Sequence, residues 1–214
     1  MILMRLKKKK TDTINLYNID PDTKAYMIEV SLDDYSELFN GWDASPLRRK
    51  DLEPELIDYL EQAATEIPKD ENVELVFYLP QHMKDPDKES KSLAGIRNNF
   101  KFVIFLINKT LRLNYRQLAA YIMLSILFLI GAYVFRNIGG EYALFVSIMV
   151  EGLFIGGWFL LWEAFSLFFF ESHETRLRKK LYQKMLSSNI YFKDTLSKEP
   201  ETTKTEAKED AKLF

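Results

Sequence analysis

Cysteine is absent from the 214 residues of this chain. That absence excludes disulfides, thiolate metal sites and a cysteine nucleophile within the sequence. It fits a reducing compartment without requiring one. Histidine is nearly absent too: His82 and His173 are the only two. No zinc motif, nucleophile elbow, phosphate loop or dinucleotide fingerprint occurs, so neither a metal nor a cofactor is expected. Net charge is also small, at −2, but the charges are strongly segregated. Residues 20–90 carry nineteen acids against seven bases, whereas 91–116 carry six bases and no acid. Residues 1–19 and 171–196 are basic as well. Because the basic stretches flank apolar ones and the body is acidic, nucleic acid is not an expected partner.

Two long apolar runs are present. Residues 118–135 contain no charge, and 142–170 carry only Glu151 and Glu163. At 1.5 Å per residue each run is long enough to cross about 30 Å of hydrocarbon. The break between them is Arg136-Asn137-Ile138-Gly139-Gly140-Glu141. The pattern predicts a two-helix transmembrane hairpin. Lys109, Arg112 and Arg116 flank one end of it, and Arg176, Arg178, Lys179, Lys180 and Lys184 flank the other, against Arg136 alone in the loop. By the positive-inside bias both termini are expected in the cytoplasm. The start of the chain, apolar and then basic, does not read as a cleavable leader.

The rest divides as follows. Residues 1–90 are expected to form a cytoplasmic α/β-type domain, and 91–117 a basic amphipathic helix leading into the membrane. The hairpin occupies 118–170, as 118–135 and 142–164 with a helical extension to 170. A basic amphipathic helix and a short strand follow over 171–196, and a disordered tail over 197–214. Within the domain, 13–19 and 24–32 read as strands joined at Asp20-Pro21-Asp22-Thr23. Residues 51–67 read as a helix capped by Asp51 and stopped by Pro68. Residues 73–79 read as a strand with Val73, Leu75, Phe77 and Leu79 on one face. Strand, helix, strand predicts a right-handed βαβ unit. The fold class is therefore α+β, a small mixed sheet with a βαβ unit, joined to a two-helix transmembrane hairpin. Ile190-Tyr191-Phe192 is a candidate extra strand. The stripe through Leu93, Ile96, Phe100, Val103 and Ile107 reads as a straight extension of the first apolar helix.

One segment has a familiar look. Ser31-Leu32-Asp33-Asp34-Tyr35, Phe39-Asn40-Gly41-Trp42-Asp43 and Arg48-Arg49-Lys50-Asp51-Leu52-Glu53-Pro54-Glu55-Leu56 resemble a segment of an uncharacterised family of small bacterial membrane-associated proteins. The resemblance covers about residues 14–80. It implies a bacterial inner (cytoplasmic) membrane location and brings no activity, ligand or catalytic residue with it.

Several side chains are candidates for function. With the hairpin centred on Ile138-Gly139, Glu151 falls about 15 Å from the loop, near the midplane and opposite Ser125. A carboxylate there is costly. It is either part of a proton or cation path or a protonated group that joins protomers, and both readings predict a homo-oligomer. Gly152 and Gly156 form a small-xxx-small pair suited to close helix approach. Glu163 is expected to pair with Arg112 or Arg116 at the interface, and Phe165 to Phe170 are expected to face residues 102–109. Lys7, Lys8, Lys9, Lys10, Arg176, Arg178, Lys179 and Lys180 are candidates for lipid headgroups. Asp33, Asp34 and His82, with Asp43, would share the carboxyl edge of parallel strands and form the weak catalytic candidate; ordinary helix caps are the simpler reading. Function is expected to be that of a membrane-anchored, oligomerising interaction or sensor module without enzymatic activity. Its partners are the lipid bilayer and a cytoplasmic protein or small molecule. An ion-conducting effector lined near Glu151 is the alternative, and a membrane-tethered hydrolase the third reading.

Overall fold

The computed structural model describes residues 16–136 and 143–195. The described residues are mixed α+β. In order they form β1 (Tyr26–Ser31), a 3-10 turn, α1 (Pro54–Glu66), β2 (Val73–Leu79), α2 (Pro86–Arg136), α3 (Ala143–Ser166), a π turn (Leu167–Glu171), α4 (Ser172–Ser187) and β3 (Asn189–Asp194). They fall into two compact units, 16–96 with 188–195, and 97–136 with 143–187.

The first unit is built on a three-stranded sheet ordered β1-β2-β3, parallel throughout. Central β2 is buried along nearly its whole length, as a strand paired on both edges must be. Ile28, Leu75, Val76 and Phe77 are fully buried. The rings of Phe77 and Tyr35 both pack on Phe192 of β3, with centroids 5.5 and 5.2 Å away. Burial of an aromatic of this size contributes a few kcal/mol.

Sequence and structure differ at three places in this unit. Among the described residues the sheet is parallel, not mixed. Within the described part of 13–19, only an isolated antiparallel bridge, Ile19 with Tyr26, adjoins β1, and residues 13–15 lie outside the described residues. The turn itself forms as its residues require: the Asp20 side chain accepts from the amides of Asp22 and Thr23. Second, α1 begins at Pro54 rather than at Asp51, because Leu52 bridges to Phe39 and holds that backbone extended. Pro54 then takes the first helical position, where no amide partner is lost. Third, β3 is six residues long and is a full member of the sheet. The βαβ unit itself, β1-α1-β2 with parallel strands, is present.

Helix α2 runs unbroken for 51 residues, starting at Pro86. Near its start it passes so close to the loop before α1 that a Cβ on Gly95 would lie 2.4 Å from the Leu47 carbonyl oxygen and 2.9 Å from the Phe39 ring. Only glycine fits that crossing.

Candidate functional site

The second unit is an antiparallel helical pair. Residues 97–136 of α2 run along one side, and α3, the π turn and α4 along the other. Its register can be read from facing residues. The Ser125 hydroxyl, fully buried, donates to the Gly157 carbonyl oxygen at 2.7 Å. Gly157 meets Leu129, Gly156 meets Phe128, and Gly131 meets Leu153. Further along, Phe100 packs edge-on against Tyr182 at 5.9 Å, and the Arg97 guanidinium donates to the Leu186 carbonyl at 2.9 Å.

These contacts overturn the expected pairing. The register is shifted by about six residues relative to a hairpin centred on Ile138-Gly139. Ser125 faces Gly157, not Glu151. Glu151 is exposed and lies near the level of Ala132 and Tyr133, about one turn from Arg136 rather than midway along the pair. Of the expected pair Gly156 makes the contact, together with Gly131 and Gly157, whereas Gly152 has nothing within 4 Å of where a Cβ would stand. The small-residue signal in the sequence holds at Gly156 and fails at Gly152.

Glu163 is half-buried, and among the described residues no ion pair joins it to Arg112 or Arg116. The aromatic residues after it do not reach 102–109. Phe165 and Phe168 instead pack on Phe169 of their own helix, and Phe102 stacks on Phe105 of its own. In the observed register Phe168, Phe169 and Phe170 fall at the level of about Asn114 to Arg116.

The π turn that follows was not foreseen. A turn closed by a bond from the Ser172 amide to the Leu167 carbonyl is one residue wider than an α turn. Arg176 fastens it. Its guanidinium donates to the Ser172 carbonyl at 2.9 Å and the Phe168 carbonyl at 3.4 Å, and it lies 5.5 Å from the centre of the Phe168 ring. Arg178 similarly covers the Tyr182 ring at 5.7 Å. Lys179 is half-exposed and Lys180 exposed. Lys7 to Lys10 lie outside the described residues. A basic residue four positions before an aromatic is the sequence signal for the second of these contacts.

The carboxyl edge of the sheet in the first unit shows no comparable assembly. Asp34 caps the 3-10 turn, accepting from the Ser36 amide at 2.7 Å, and hydrogen bonds from Ser36 hold its carboxyl below the usual carboxylate range. Asp43 accepts from the amides of Asp51 and Ser45, and those bonds lower it too. Asp33 and His82 are exposed. Among the described residues no group of three or more histidines and acids is placed to hold a metal. The polar pairs of this unit lie instead on a sheet face. Tyr78 donates to the Glu29 carboxylate at 2.7 Å, and Tyr191 and Asn189 donate to Glu74, which is buried. The bond to Glu29 pushes the Tyr78 hydroxyl up to about 12, and burial with the Glu74 bond raises Tyr191.

The class of protein is thus a mixed α+β chain carrying two helical segments long and apolar enough to cross a membrane, 86–136 and 144–187. Comparison of the chain with protein-family models, with curated proteins and with solved structures finds no match in any of the three.

Proposed function

We propose that the chain is a membrane-anchored interaction module. The helical pair inserts as a hairpin into a bacterial cytoplasmic membrane with both chain ends on the cytoplasmic side. The α/β domain binds a cytoplasmic protein or small molecule, and the chain works as a homo-oligomer.

One observation carries this reading: the register of the pair defines a belt of membrane thickness. The interval from Arg116 to Arg136 rises about 30 Å, the thickness of a hydrocarbon core. In the same register Phe168 to Phe170, where the apolar run of the partner ends, fall level with Arg116. Ser125, near the middle of the belt, has its hydroxyl satisfied within the pair. Glu151 and Glu163 each fall about one turn inside an edge, where a carboxylate reaches the interface at low cost. The perimeter is apolar and exposed, with Phe145, Ile155, Phe159 and Trp162 each more than 60% accessible. That area is larger than a soluble monomer exposes. The open surface around Gly152 supports association of copies there. Asp34 and Asp43 are engaged with the amides of their own loops, the role of structural caps.

Single-cysteine labelling tests the anchor, since the chain has no cysteine of its own. In intact cells a cysteine at Asn137 should react with a membrane-impermeant reagent, and cysteines at Asn72 and Ser187 should not. The reverse pattern would sink the topology. Native mass in nanodiscs reads the oligomer, and a monomer removes that part of the proposal. Ion flux through wild-type liposomes that Glu151→Gln abolishes with assembly intact would replace this reading with the conducting one.

A further inference from the structure

We propose that Lys109, Arg112 and Arg116 form a row that binds the acidic headgroups of phospholipids around the hairpin. The inference rests on the membrane reading above and names a ligand for its edge. The three recur at spacings of three and four residues, so they share one face of α2. All three are exposed. The buried seam of the same stretch, Phe100, Ile107 and Leu111, lies on the other side of the helix. The row therefore points away from the partner helix.

The position along the helix selects lipid. Arg116 stands at the level where the apolar run of the other strand ends. Arg112 is about 6 Å farther out and Lys109 about 10 Å, measured along the axis. All three fall within about one Debye length of a bilayer surface. No acid occurs in α2 beyond Glu89. Glu171 and Glu174 lie nearby along the other strand, but among the described residues neither pairs with the row. Arginine suits the task because its planar fork binds a phosphate through two hydrogen bonds. The ion pair with Glu163 that the sequence invites would leave these guanidinium groups occupied; the structure leaves them presented outward.

The test uses the full chain in mild detergent, titrated separately with phosphatidylglycerol and phosphatidylcholine and read by native mass spectrometry. Wild type should retain the acidic lipid in preference. At about fivefold per base near the surface, Arg112→Gln with Arg116→Gln should weaken that preference on the order of twentyfold. Arg112→Lys with Arg116→Lys should retain most of it, which separates lost charge from lost fold. Lys179→Gln with Lys180→Gln, farther from the belt, should change it little. No preference in wild type, or an unchanged preference in the double glutamine variant, overturns the row. Displacement of the lipid by inorganic phosphate would assign the row to a soluble anion and overturn it equally. Insertion is read independently in a Trp42→Phe chain, where brominated acyl chains in phosphatidylcholine nanodiscs should quench Trp158 and Trp162. Quenching without acidic preference overturns the row alone; absence of quenching overturns the reading beneath it.

Discussion

The two units solve opposite problems with the same residue types. In the sheet unit the large apolar side chains are inside: Tyr35, Phe39, Phe77 and Leu79 are at most 2% accessible. Polar side chains gather on one face of the sheet, where Tyr78 and Tyr191 each find a carboxylate. Between Arg116 and Arg136 of the helical unit phenylalanine and tryptophan stand on the outside, and what is buried between the helices is small. Ser125, Ala132 and Ala164 lie there, with Gly156 and Gly157 in contact across the seam. Farther along, the seam holds Phe100, Ile107, Leu111 and Tyr182. One unit is held by burying area from water. The apolar stretch of the other is held by close backbone approach and the Ser125 hydrogen bond, the means by which helices pair in apolar surroundings.

The largest expected effect breaks that contrast directly. Phe77→Ala should destabilise the sheet unit by about 3–5 kcal/mol, since it empties the centre of a closed core. Phe154→Ala removes an equal ring from an exposed position, 52% accessible, and should cost under about 0.5 kcal/mol. Pulse proteolysis of both variants in one detergent checks the pair. Equal losses would mean that the outer face of α3 is as closely packed as the sheet.

A smaller effect sharpens the description of the helical unit. Ser125→Ala deletes the bond to the Gly157 carbonyl and should loosen the helical pair by about 1 kcal/mol, within the range for interhelical bonds in lipid. Thermal denaturation monitored at the hairpin measures it. An unchanged midpoint would mean that the bond adds nothing to glycine packing in this part of the pair.

The smallest concerns alkaline pH. The Tyr78 hydroxyl is raised from about 10 to about 12 because it donates to Glu29. A phenol whose folded value lies above its unfolded value keeps its proton longer when folded. Its contribution is fully present below pH about 10 and is lost as pH rises toward about 12. Tyr78→Phe should therefore flatten part of the fall in melting temperature between pH 10 and 12, without changing its slope near pH 7. An identical alkaline slope in the variant would assign the fall to Tyr17, Tyr59 and Tyr191, all also raised.

Much of this molecule was decided by the sequence alone, and the reason is periodicity. Apolar runs of membrane length, the alternation in 73–79 and the apolar face within 51–67 are local properties, and each lies in a helix or strand of the expected kind. The continuity of α2 is consistent with the lack of any proline between Pro86 and Arg136. Asp34 became a cap because a short carboxylate before a turn has an amide within reach. Other features depended on the tertiary structure. Residues 13–19 carry strand-forming side chains, yet β2 takes its second partner from residues 189–194, more than a hundred positions later, because that strand brings Phe192 onto Phe77 and Tyr35. The helical register is the plainest case. A helix repeats every 3.6 residues, so sliding one helix past another by about six residues presents similar faces at similar spacing. What selects the register is the fit of Phe128 and Leu129 against Gly156 and Gly157 and the reach of Ser125 to one carbonyl. No single helix contains that information, and on it depended the move of Glu151 from the middle of the belt to its edge.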